Sequence, residues 1–201
     1  MKIKHIVFDF DGVIGDTFDI IRALSEKHST SSPTLEDFLA HHDGNVYEEP
    51  KIKYNPEKVH VFYSEYAELV SYTHLENAIA PIKKLSQKYT LHINSSNGED
   101  GLNSALEKAG IHECFQTVMG KETHKSKIEK FKMIFDEYKA SIEDTIFVTD
   151  TLGDIKEAGK IGVKTIAETF GFHNSERLAL GNPYAIVDSW DEIIEEIERL
   201  S

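Results

Sequence analysis

The sequence predicts an α/β fold: a parallel sheet with helices on both faces and a small helical module inserted after the first strand. Three observations carry that prediction. From about residue 77 onward, strand-like and helix-like segments alternate strictly, which argues for parallel strands joined by crossover helices. The opening segment "IKHIVFDF" is apolar on both faces, as a strand inside such a sheet must be. Residues 16–76 break the rhythm, as an insert would.

In chain order, "IKHIVFDF" is the first strand. Residues 16–28 carry Ile20, Ile21 and Leu24 at helical spacing, and a short helix starts at Thr34. "HHDGNVYEEPKIKYNP" is polar, with a glycine and two prolines, and reads as loop. Asn55 and Pro56 read as N-cap and first turn of an amphipathic helix through Val59, Phe62, Tyr63, Tyr66 and Val70. A helix over 77–88 leads to the strand "YTLHINS", and one over 100–109 leads to "CFQTVM". A helix from Ser126 to 139 leads to "TIFVTD", and one over 151–160 leads to "VKTIAE". A last strand "YAIVD" precedes the closing helix "WDEIIEEIERL". The core is therefore assigned to 1–15 and 77–201, and the helical insert to 16–76.

The 201 residues, 40% of them apolar, suit one domain carrying an insert. A formal net charge of −13 repels phosphate backbones and argues against a nucleic-acid partner. No apolar run approaches the length of a membrane span, so no membrane partner is expected. The N-terminus lacks a secretory layout, and the single cysteine, Cys114, rules out an intrachain disulfide. A cytoplasmic location is the expectation. Composition leaves the oligomeric state open.

Ligands of open parallel sheets bind beyond the carboxyl ends of the strands. The first strand ends in Asp9 and Asp11, "LHINSSN" in Ser95, Ser96 and Asn97, and "IFVTDTLGD" in Asp150, with Asp154 one helical turn on. If these strands are neighbours, three or four carboxylates and a hydroxyl share one crevice. Two carboxylates about 4 Å apart repel by roughly 4 kcal/mol at an effective dielectric near 20. Several such pairs rival a domain's stability of about 5–15 kcal/mol. Such a crevice needs protons or a cation, and oxygen ligands suit Mg²⁺. The alternative for Asp9 and Asp11, a turn cap at Gly12, does not account for acidic or hydroxyl residues at the other two strand ends.

Together these segments resemble the haloacid dehalogenase superfamily, specifically its phosphoglycolate-phosphatase-like phosphatases. "FDFDGVI" matches the first family motif, Ser95 in "LHINSSN" the second, a lysine opening "SKIEKFKMIFDEY" the third and "FVTDTLGD" the fourth. The tail from "EAGKIGVKTIAETFGF" to "DSWDEI" is similar too. The resemblance covers 1–17 and 77–201 and implies a Rossmann-like core with the insert as a cap. Two departures stand out. Thr149 occupies a position where relatives carry glycine, and the third motif lacks its prolines, so Lys125 and Lys127 compete for its role. Lys127 is preferred: its separation from Asp150 matches relatives without the prolines, and Ser126 with Glu129 forms the pattern of a capping box. The other lysines of "KETHKSKIEKFK" read as a solvated basic face.

The resemblance implies a Mg²⁺-dependent phosphatase acting on a small phosphorylated metabolite, with glycolate phosphate the family-level substrate. Asp9 would be the nucleophile that forms an aspartyl-phosphate, and Asp11 the general acid and base. Mg²⁺ would be held by Asp9, the carbonyl of Asp11 and Asp150, with Asp154 supporting them. Ser95, Ser96 and the lysine would hold phosphoryl oxygens, and Gly12 would let the backbone approach the phosphate. Asp11 favours phosphoryl transfer over carbon–halogen cleavage. The rivals are a phosphomutase on the same core, a receiver-type signalling module and a non-catalytic phosphate- or metal-binding protein. The receiver carries its phosphorylated aspartate on a later strand.

Among the remaining residues, His41 and His42 are adjacent, a poor spacing for two metal ligands on one helix, and read as loop or insert surface. His5 and His92 lie within strands and read as satisfied structural residues. Asp16 and Thr17 order the hinge of the insert or cap its first helix. Phe62, Tyr63 and Tyr66 read as core of the insert.

Overall fold

The computed structural model describes residues 2–201. Six strands form one parallel sheet: β1 (His5–Phe8), β2 (Thr90–Asn94), β3 (Phe115–Met119), β4 (Thr145–Thr149), β5 (Lys164–Glu168) and β6 (Ala185–Val187). Their order is β3-β2-β1-β4-β5-β6, so the sheet grows outward from β1 in both directions. All five pairings are parallel. Phe8 stands opposite both Ile93 of β2 and Val148 of β4, which brings the carboxyl ends of the three central strands level.

The helices are α1 (Phe18–His28), α2 (Leu35–His41), α3 (Val59–Leu69), α4 (Glu76–Leu85), α5 (Glu99–Ala109), α6 (Lys127–Tyr138), α7 (Leu152–Lys160), α8 (Ser175–Ala179) and α9 (Trp190–Arg199). The two-residue period of the strands divides the core. Ile6 and Phe8 of β1 pack with Ile146 and Val148 in a cluster that takes in α4, α5 and α9. Val7 and Phe147 point the other way and pack with Phe131 and Ile134 of α6 and Ala158 of α7. Every strand expected from the sequence is present. The short α8, whose N-cap Asn174 accepts from the Arg177 backbone N–H at 3.0 Å, was not expected.

The insert between β1 and α4 holds α1, α2 and α3. Its Leu24, Phe38, Ile52, Phe62 and Tyr66 join the same apolar cluster as the α4 face of the sheet. α2 starts where Thr34 predicts, closed by a capping box with Asp37. α3 starts later than expected, at Val59 with Lys58 as N-cap. The Asn55 side chain instead accepts from Glu57 N at 3.0 Å and closes a separate turn ahead of the helix.

Candidate active site

The aligned strand ends converge as the sequence predicts. Asp9 follows β1, and its N–H donates to Val148 O of β4 at 2.9 Å. Its Oδ1 accepts from Phe10 N at 2.8 Å and pairs with Lys127 Nζ at 2.9 Å. The same ammonium reaches Asp154 Oδ2 at 2.5 Å, and Thr149 Oγ1 donates to that oxygen at 2.8 Å. Thr149, the departure from the family's glycine, thus anchors Asp154. Lys127 is 1% exposed, and Asn94 of β2 holds its carbonyl at 3.0 Å. Burial pushes the Asp9 carboxyl up to about 8, against the pull of Lys127 and with help from Asp154 and Asp11.

Asp11 sits in a different environment. Its Oδ1 accepts from Tyr66 Oη at 2.6 Å and Thr17 Oγ1 at 2.8 Å, and its Oδ2 from Asn97 Nδ2 at 3.1 Å. Burial raises its pKa, and the three neutral donors oppose the rise. Gly12, next in sequence, has φ +83°, and a Cβ there would lie 2.0 Å from Asp150 Oδ2. Glycine is required at this position both for the backbone and for Asp150.

Asp150 directly follows β4 and is fully buried. Its Oδ2 accepts from Phe172 N at 2.8 Å, and its Oδ1 has no partner. Glu168 ends the neighbouring β5, also fully buried. Its Oε2 accepts from Phe170 N at 2.6 Å and Gly171 N at 3.1 Å, and its Oε1 has no partner. A Cβ on Gly171 would fall 2.4 Å from Asp150 Oδ2 and 2.6 Å from Glu168 Oε1, so both acids crowd one glycine. Burial raises the pKa of Asp150, and Glu168 and Asp9 raise it further.

This donor set fits a hard divalent cation. Asp9, Asp150 and Glu168 offer only oxygens, and two of those oxygens are buried and orphaned. Among the described residues no three His, Cys, Asp or Glu side chains already close around a common point.

Ser95 is fully buried, its Oγ accepting from Asn97 N at 3.1 Å, and Ser96 lines the cavity above the strand ends. The structure separates the two competing lysines. Lys127 lies between Asp9 and Asp154, whereas the exposed Lys125 has its Nζ 5.5 Å from the centre of the Tyr47 ring.

Three expectations are corrected and one is extended. Ser126 is the N-cap of α6, but its side chain makes no capping bond; Glu129 pairs with Lys132 at 2.7 Å instead. Lys130 is not on a solvated face: it is fully buried, donating to the carbonyls of Ser95 and, at 3.3 Å, Gly120. Burial and Lys127 push it down to about 7. His41 is buried rather than surface, its Nδ1 accepting from Lys51 N at 3.1 Å. Tyr66 belongs to the core of the insert and also bonds to Asp11. Glu168 obeys the criterion that singled out Asp150, an acid closing a parallel strand, and could have been found by it. No sequence signal distinguishes Tyr66 from its apolar helix neighbours.

Fold and site define a class: an α/β protein whose sheet grows both ways from one strand, with a carboxylate and lysine crevice at the carboxyl ends of its central strands. Comparison with known proteins gives the particular family. The family model of haloacid dehalogenase-like hydrolases matches residues 6–168, and the chain belongs to that family. It is 30% identical over 111 residues to the "Probable phosphatase IndB" of Dickeya dadantii (strain 3937), covering 54% of this chain and 48% of that protein. It thus matches about half the length of that relative. It is 22% identical over 191 residues to the phosphoglycolate phosphatase of Vibrio parahaemolyticus, covering 92% and 77% of the two chains. Among solved structures, a predicted phosphatase from Clostridium acetobutylicum superposes with a TM-score of 0.79 at 18% identity, covering 99% of this chain and 100% of that one. No described helix is long and apolar enough to cross a membrane.

Proposed function

We propose that the chain is a Mg²⁺-dependent phosphatase acting on a small phosphomonoester through an aspartyl-phosphate on Asp9, with residues 16–76 as its cap. The observation that carries this reading is the contrast between two neighbouring carboxylates, Asp9 buried and Asp11 half-buried. Asp9 is paired with an ammonium, and Asp11 is held only by neutral donors. Environments that differ in this way assign different acid–base roles to like groups.

Asp9 Oδ1 is occupied by Phe10 N and Lys127, which leaves Oδ2 to attack. A bond forms from Oδ2 to phosphorus as the ester P–O bond breaks, and Asp11 protonates the departing alcohol oxygen. Water then attacks phosphorus, gives its proton to Asp11 and releases Asp9. Lys127 keeps Asp9 oriented and balances charge in the crevice; Ser96 in the cavity wall, and Ser95 buried behind it, would hold phosphoryl oxygens. A cation on Asp9, the Asp11 carbonyl and Asp150 would supply charge neutralisation on the phosphoryl group. The relatives' names support a phosphatase, one of them for phosphoglycolate.

The test is phosphate release from a panel of phosphomonoesters with and without Mg²⁺, with mass spectrometry of acid-quenched protein for phosphate on Asp9. Release that needs Mg²⁺ and vanishes in Asp9→Asn is expected. Equal silence of both proteins on every ester ends the reading.

A further inference from the structure

A cavity of about 750 Å³ lies between the insert and the strand ends, with Asp9 and Asp11 in its floor. On the phosphatase reading, the leaving group must occupy the side facing the insert. That wall is built from Tyr47, Pro50, Ile52, Val59, Phe62 and Tyr63. Pockets for drug-sized small molecules typically enclose about 300–1,000 Å³ and are mostly apolar with few polar groups. At about 750 Å³ the cavity lies in the upper part of that range, more room than a two-carbon hydroxy acid and its phosphate fill.

The charges in the cavity are unsuited to a second anion. No arginine lines it, so there is no bidentate clamp for a carboxylate. Lys127 is already taken by Asp9 and Asp154. The remaining lining lysines, Lys53 and Lys125, are both exposed. His41 and His42 are neutral at pH 7, because burial pushes them down to about 4 and about 3. Asp154 is paired with Lys127, and Glu157 accepts from Asn45 Nδ2 at 3.1 Å, so neither acid leaves a cation free for a second anion.

We propose that this cavity selects phosphomonoesters whose alcohol is uncharged, carries an aromatic ring and is larger than a hydroxy acid. The inference rests on the phosphatase reading for its chemistry but not for its binding. The polar tips of Tyr47 and Tyr63 lie 3.3 Å apart, and the Tyr47 hydroxyl also donates to Ser96 O, so these rings are fixed beside the strand end. Fixed rings offer flat apolar contact at little entropic cost.

The test compares kcat/KM for 2-phenylethyl phosphate and 2-phosphoglycolate, both esters of alkyl alcohols, on the full chain with Mg²⁺. The same two esters are titrated calorimetrically into Asp9→Asn. The ring-bearing ester is expected to lead by at least about tenfold in both measurements. Val59→Arg, which puts a cation into the apolar wall, is expected to shrink that ratio by at least about tenfold. Equal or reversed preference, in turnover or in binding, overturns the proposal. If no phosphate is released from either ester or from the wider panel, the phosphatase reading fails, and the binding order alone decides the cavity's selectivity.

Discussion

The Tyr66 hydroxyl donates to Asp11 Oδ1 at 2.6 Å, linking helix α3 of the insert to the loop after β1, 55 positions away in sequence. With Thr17 and Asn97 it gives Asp11 three donors and no charged partner within bonding distance. The proposed general acid is therefore held, in part, by a residue of the insert.

Tyr66→Phe should lower kcat on alkyl phosphates by about tenfold, with KM changed by less than about twofold. Loss of a donor to the ionised form raises the Asp11 pKa further, so the limb of the pH–rate profile that Asp11 controls should move to higher pH. Steady-state profiles of both proteins measure this. An unmoved limb would mean that Tyr66 only fills space.

Lys127→Ala should be far more damaging than Lys125→Ala. Removing Lys127 leaves Asp9 and Asp154 buried without their shared counter-charge, a loss of about 3–5 kcal/mol. Lys125 is exposed, and its removal should stay within about 0.5 kcal/mol. Urea unfolding of the three proteins, monitored by circular dichroism, separates these outcomes.

Glu168→Gln should stabilise the metal-free protein. Two buried acids with one orphaned oxygen each crowd Gly171, and Glu168 raises the Asp150 pKa. An amide relieves that repulsion. Tm in chelator should rise by a few degrees, about 2–4 °C for each kcal/mol at this chain length, and the further rise on adding Mg²⁺ should shrink. A lower Tm in chelator would contradict this account.

His92 predicts an acid-side loss of stability. It is buried in β2 between His5 Nδ1 at 3.2 Å and Thr117 Oγ1 at 3.0 Å. Burial pushes it down to about 4, and His5 adds to the shift. In the unfolded chain histidine titrates near about 6.5. Between those values the unfolded chain binds the extra proton, so stability is whole above about 6.5 and is lost as pH falls toward about 4. The loss amounts to about 3 kcal/mol for this group. Unfolding free energies at about pH 7.5 and about pH 5 should differ less in His92→Gln than in the native protein. His41, also lowered to about 4, leaves a residual slope in the variant.

The sheet was legible because buried parallel strands must be apolar on both faces, and "HIVF", "TIFVT" and the others are. Asp9, Asp11 and Asp150 stood out because acids at the ends of such strands conflict with their surroundings. Thr34 and Asp37 marked a helix start by local chemistry alone, and that start is where it was expected. The Ser126 and Glu129 pattern looked equally local, yet Glu129 turns outward to Lys132. The burial of Lys130 is not legible in the sequence because it depends on distant carbonyls, here Ser95 and Gly120, which no helix periodicity reveals. Tyr66 has the periodicity of a core residue, but its hydroxyl acts on a residue that only the folded chain brings near.

The insert enters the chain at one point but is fastened from the other end. Arg177 of α8 grips Asp43 with two bonds at 2.7 and 2.8 Å and reaches Glu36 at 3.0 Å, while Gly153 N donates to His42 O at 2.9 Å. The grip on Asp43 spans 134 positions. Residues 16–76 are therefore not a portable cassette. A chimera that exchanges them with a relative's must bring the matching stretch around α7 and α8 with it, or the graft will sit loose on a host that has no clasp to receive it.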